Sequence, residues 1–164
     1  MMKLSNRVLE MEESVTLAAS ARAAALKAEG RDILSLTLGE PDFTTPENIQ
    51  KAAIAAIQDG KASFYTAASG LPALKDAISS YMETFYGYAV PRNQVVVATG
   101  AKFILYAAFA TLLNPGDEVI IPTPCWVSYV DQVKMVDAVP VTFQTTEAND
   151  FKATVEQLEA ARTE

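Results

Sequence analysis

From Val95 onward the chain alternates strand-like apolar runs with helical periods, a pattern that leaves few folds open. Val95-Val96-Val97-Ala98 is a continuous apolar run, as expected of a strand buried on both faces of a parallel sheet. Ala101 to Leu113 has a helical period but is apolar nearly all round, so both of its sides should be covered. Glu118 to Pro122 reads as the next strand and about 126 to 136 as a further helix. Val139 to Phe143 is a third strand, and 153 to 162 a last amphipathic helix. Strand-helix repeats of this kind form a right-handed α/β series. Three parallel strands make a narrow sheet, and an unpaired apolar strand edge is a pairing hazard. The series therefore reads as unfinished, the first part of a larger protein.

Ahead of the series the chain is mainly helical. Residues 14 to 29 are alanine-rich, with Gly30 as a stop. Residues 46 to 59 form an amphipathic helix whose face holds Ile49, Ala52, Ala53, Ala56 and Ile57, and about 72 to 86 form another. Before them, Leu34, Leu36 and Leu38 alternate as in a short half-buried strand, which Gly39 breaks. Thr45-Pro46 then opens a helix with a hydroxyl cap and a proline in the first turn.

Composition removes whole classes of function. A net charge of −7 argues against a nucleic-acid partner, which needs a clustered basic face. The absence of histidine excludes Ser-His and Cys-His nucleophile systems and most zinc sites, and no metal ligands are assigned. A single cysteine, Cys125, rules out an intramolecular disulfide and fits a reducing compartment. The N-terminus has no apolar core of a secretory signal. The longest charge-free stretch, between Lys102 and Asp117, is too short to span a bilayer. The expectation is a cytoplasmic protein without a membrane partner. Its chemistry must come from Lys, Tyr, carboxylates or a cofactor.

Four places could carry that chemistry. In Val97-Ala98-Thr99-Gly100-Ala101-Lys102 a buried strand feeds a helix through a glycine, leaving free amides and the helix dipole aimed at one point. Such a junction suits a phosphate, but a single glycine there more often marks an ordinary strand-to-helix turn. Pro122-Thr123-Pro124-Cys125-Trp126-Val127-Ser128-Tyr129 follows a strand, at the end of a sheet where open α/β folds bind ligands. Trp126 there either packs in the core or stacks on a heteroaromatic ring. Tyr65 is a loop tyrosine, by default a packing residue. Gly39 either turns a strand into a helix or lets a ligand approach the main chain closely.

Leu38-Gly39-Glu40-Pro41-Asp42-Phe43-Thr44-Thr45-Pro46 resembles the N-terminal signature of the class I, fold-type I pyridoxal-phosphate aminotransferases, closest to the bacterial aspartate aminotransferase branch. Asn114 to Val119, Pro122 to Tyr129 and the Tyr65-x-x-x-x-Gly70-x-x-x-Leu74 motif support the same register, and the resemblance covers roughly residues 3 to 145. It implies an N-terminal arm and small-domain segment at 1–45, followed at 46–164 by the first half of a large, mainly parallel-sheet domain. By this resemblance Gly100, Ala101 and Lys102 contact the phosphate of pyridoxal 5'-phosphate, and Trp126 lies over its ring. Gly39 lies beside the substrate α-carboxylate, and Tyr65 reaches across a homodimer interface to the partner's cofactor phosphate. The implied substrates are an amino acid, of the aspartate type, and a 2-oxo acid. Cys125 departs from the tyrosine of close relatives, and Lys75 from the usual arginine. The family's Schiff-base lysine lies downstream of the matching text, so no catalytic residue is assigned, and the chain alone is expected to be inactive. Two other readings stay open: another fold-type I enzyme, such as a C–S lyase or synthase, and a non-enzymatic sensing or dimerisation module.

Overall fold

The computed structural model describes residues 3–9, 11 and 14–163. Met1, Met2, Glu10, Glu12, Glu13 and Glu164 lie outside them, and with them parts of the expected 1–45 and 46–164 segments. The elements run α1 (Asn6–Leu9), α2 (Val15–Ala28), α3 (Glu47–Gln58), α4 (Pro72–Tyr86), α5 (Ala101–Leu112), β1 (Glu118–Thr123), α6 (Ser128–Lys134), β2 (Val139–Gln144) and α7 (Val155–Ala161). The backbone divides into two units, one of residues 1–15 with 99–164, the other of 16–98.

The first unit holds the sheet. β1 and β2 are parallel, with Glu118 opposite Val139 and Thr123 opposite Gln144, and α6 connects them. Beyond the last rung Thr145 Oγ1 donates to the Thr123 carbonyl at 2.8 Å, and Thr123 Oγ1 to that of Phe143 at 2.9 Å. Val133 of α6 is fully buried, with Ile121 and Ala138 beside it and Phe109, Leu113, Val119 and Tyr129 packed around them. α7 begins with a reciprocal cap. Thr154 Oγ1 accepts from the Gln157 amide at 3.2 Å, and Gln157 Oε1 accepts from the Thr154 amide at 3.0 Å. The same Gln157 donates through Nε2 to the Gln144 carbonyl at 3.1 Å, fastening α7 to the end of β2. Arg7 pairs with Asp137 in the turn after α6, and that carboxylate raises the guanidinium pKa further by hydrogen bonding and charge.

α5 departs from expectation in its surroundings. Phe103 and Leu112, on opposite sides of the helix, both remain exposed, so the described residues do not cover it all round.

In the 16–98 unit, α4 starts with Pro72, whose missing N–H costs a helix nothing at that position. Two expected strands do not form there. Val95-Ala98 is extended but pairs with no strand among the described residues, so the sheet has two strands rather than three. Val95 is buried and Val96 exposed, not both faces covered. The amides of this run bond to backbone outside the sheet instead, Val95 to the Arg92 carbonyl at 3.2 Å and Val97 to the Ser69 carbonyl at 3.0 Å.

Residues 34–38 form no ladder either, and their alternation is inverted. Thr37 Oγ1 lies 2.9 Å from Ser20 Oγ of α2, while Leu34, Leu36 and Leu38 point outward, 86%, 87% and 63% exposed. A polar face turned toward a helix is stable when its hydroxyls pair, as Ser35, Thr37 and Ser20 do.

The total accessible surface is 13470 Å² for 17.6 kDa. A folded monomer of that mass exposes about 7,900 Å². Most apolar side chains that would form a core are therefore uncovered. Among the described residues no helix is long and apolar enough to cross a membrane.

Candidate functional site

α5 begins at a backbone position that favours glycine. Gly100 has φ +85° and ψ 162°, and a Cβ built on it would meet nothing within 4 Å. The side of the turn where that Cβ would sit is thus open. No side chain caps the helix and no acidic residue occupies its first turn. The first amides of a helix have no intrahelical acceptor. Here they and the positive end of the dipole meet no side-chain cap and no competing carboxylate in that turn.

Lys102, in that same turn, adds a mobile cation. Its Nζ sits 4.5 Å from the Trp126 ring centroid, within cation–π range. Trp126 follows β1 and is 40% exposed, so it lies outside the core. Tyr129 meets it edge to face, with centroids 5.6 Å apart and planes at 85°. The structure therefore brings together the helix-end amides, Lys102 and a half-exposed indole, all within one unit. Such a set can take a phosphate at the helix end and a flat ring on the indole. A phosphorylated heteroaromatic cofactor fits that donor set.

Gly39 and Tyr65 belong to the 16–98 unit. Gly39 is exposed, with nothing within 4 Å of a built Cβ. Tyr65 is fully exposed, so its ring does no packing within the chain.

One residue escapes the sequence reading. Gln132 of α6 is buried at 7% exposure and donates through Nε2 to the Lys102 carbonyl at 2.8 Å. The available signal is an amide between Val130 and Val133, on the side of α6 that carries the core.

The family model for class I and II aminotransferases matches residues 31–164. The chain is 73% identical over 163 residues to the asparagine–oxo-acid transaminase of Streptococcus mutans, covering 99% of the chain and 42% of that protein. It is 47% identical to the aspartate aminotransferase of Streptomyces avermitilis, over 99% of the chain and 40% of that protein. Among solved structures, the aspartate aminotransferase of Rhizobium meliloti superposes with a TM-score of 0.94 at 44% identity, over 99% of the chain and 40% of that one. The Thermus thermophilus aspartate aminotransferase with maleate gives 0.93 at 37% identity, over 99% and 42%. The chain thus spans about two-fifths of the length of these relatives.

Proposed function

The chain belongs to the class I and II aminotransferase family. From that premise we propose that it is the N-terminal portion of a pyridoxal-phosphate transaminase, which moves an amino group between an amino acid and a 2-oxo acid. The names of the relatives support aspartate or its amide, asparagine, as the donor. We further propose that residues 1–45 form the arm and small-domain segment and 46–164 the first half of the large domain. The lone Cys125 supports a cytoplasmic location.

Within this enzyme the amides of Gly100, Ala101 and Lys102 bind the cofactor phosphate, with Lys102 neutralising part of its charge. Trp126 covers one face of the ring and excludes water from it. Gly39 leaves room for the substrate α-carboxylate beside the main chain. Tyr65, from one protomer of a homodimer, hydrogen-bonds the phosphate bound by the other. When bound, the cofactor supplies an electron sink for charge developing at the substrate α-carbon. The observation that carries this reading is the placement of Lys102 against Trp126 at the uncapped start of α5.

Trp126→Ala in the full-length enzyme tests it. An aromatic pair contributes about 0.5–1.5 kcal/mol beyond buried area, so the cofactor Kd should rise about 2- to 12-fold with little change in apo-enzyme Tm. A lower Tm with unchanged cofactor affinity would instead make Trp126 a structural residue.

The shared-site role of Tyr65 has its own test. A Tyr65→Phe subunit and a subunit lacking the cofactor-bearing lysine are each impaired, and their mixed dimer should regain one intact site. Subunit exchange without recovered activity would take Tyr65 out of the partner's site.

A further inference from the structure

We propose that Gln132 is a positioning residue, which fixes the phosphate-binding turn relative to the ring-bearing loop. The proposal rests on the functional reading above. Gln132 lies on α6, the helix that begins two residues after Trp126 and also carries Tyr129, whose ring abuts the indole. Its amide nitrogen reaches across to α5 and binds the Lys102 carbonyl at 2.8 Å, inside the turn that offers its amides to the phosphate. One side chain therefore links the element holding the ring to the element holding the phosphate.

The cost of this side chain supports a directional role. Gln132 Oε1 is buried and has no hydrogen-bond partner among the described residues. A flip of the amide gives no relief, because an oxygen would then face the Lys102 carbonyl oxygen. Val133 beside it is fully buried, so an apolar side chain of the same length would suit this environment without stranding an acceptor. What an apolar residue cannot do is hold the Lys102 carbonyl. The spacing matters because a ring and its phosphate arm form a nearly rigid ligand, and two contact points serve it only if held to about 0.5 Å.

The test compares full-length enzyme with its Gln132→Met variant, measuring the Kd for pyridoxal 5'-phosphate, the Kd for unphosphorylated pyridoxal, and apo-enzyme Tm. The methionine variant should bind the phosphorylated cofactor about 5- to 10-fold more weakly. Pyridoxal affinity should stay within about twofold and Tm within about 2 °C, since a hydrogen bond and a stranded acceptor are lost together. Gln132→Leu, which also lacks the donor, reports the same ratio if the methionine variant does not fold. Equal losses for both ligands, or a fall in Tm with the ratio unchanged, would reduce Gln132 to a packing residue. Gly100→Val separates the two readings. If it abolishes the preference for the phosphorylated cofactor while Gln132→Met does not, the role of Gln132 alone fails. If Gly100→Val also leaves that preference intact, the turn is not the phosphate site and the functional reading fails with it.

Discussion

Supplied with pyridoxal phosphate, aspartate and 2-oxoglutarate, the isolated 164-residue chain should form oxaloacetate no faster than a protein-free control. The family reaction needs a lysine that carries the cofactor, and by the resemblance no lysine of this chain matches it; several are engaged elsewhere. Lys51, Lys61 and Lys152 pair with surface carboxylates of Glu47, Asp59 and Asp150. Lys75 is buried and donates to Ser69 Oγ at 2.8 Å. Lys102 is the nearest rival, yet it sits at a helix start where a cation serves a phosphate. A reacting site must also exclude water, and a chain this uncovered does not. Enzymes commonly gain six or more orders of magnitude over the uncatalysed rate, so the expected difference from a working transaminase is at least about a millionfold. Turnover above the control would make Lys102 the first residue to reassign.

Gly70→Ala in the full-length enzyme should cost about 2 to 5 kcal/mol of stability in denaturant titration, from two separable sources. Gly70 has φ +103°, a conformation that strains any residue with a Cβ. The added Cβ would also fall 2.8 Å from Val97 Cβ, an atom fixed to the backbone and unable to swing aside. Relief would require moving the segment whose Val97 amide binds the Ser69 carbonyl, just ahead of Gly100. Gly30→Ala isolates the conformational part, since Gly30 has φ +83° and nothing within 4 Å of a built Cβ. That variant should lose only about 1 to 2 kcal/mol. Equal losses at the two positions would mean that Val97 yields freely and packing contributes nothing.

Features encoded within a few residues were legible in the sequence. Pro72 begins α4, and β1 and β2 fall on their apolar runs, because these signals are local. α6 is shorter than its pattern, running from Ser128 to Lys134. That Val95-Ala98 joins no ladder among the described residues was not legible in its own residues, since a strand is completed by a neighbour distant in sequence. The segment at 34–38 shows a different limit. Alternation states which side chains share a face, not which face is covered, and here the hydroxyls of Ser35 and Thr37 lie toward Ser20. In the candidate site, the meeting of Lys102 and Trp126 fits the order of the motifs. Gln132 could not be found that way, because its partner is a main-chain carbonyl with no sequence signature.

The outward stripe of Leu34, Leu36 and Leu38 also bears on how the polypeptide survives its own synthesis. The more than one hundred residues after Leu38 take roughly 6 to 25 s to translate at ordinary rates. Throughout that interval none of the described residues shields the three leucines. Apolar side chains left uncovered on an unpaired segment invite pairing with their counterparts on a neighbouring nascent chain. The stripe is therefore a pairing hazard for as long as it stays uncovered. Yield in the cell then depends on how quickly the leucines are covered, a kinetic quantity that the stability of the finished enzyme does not report.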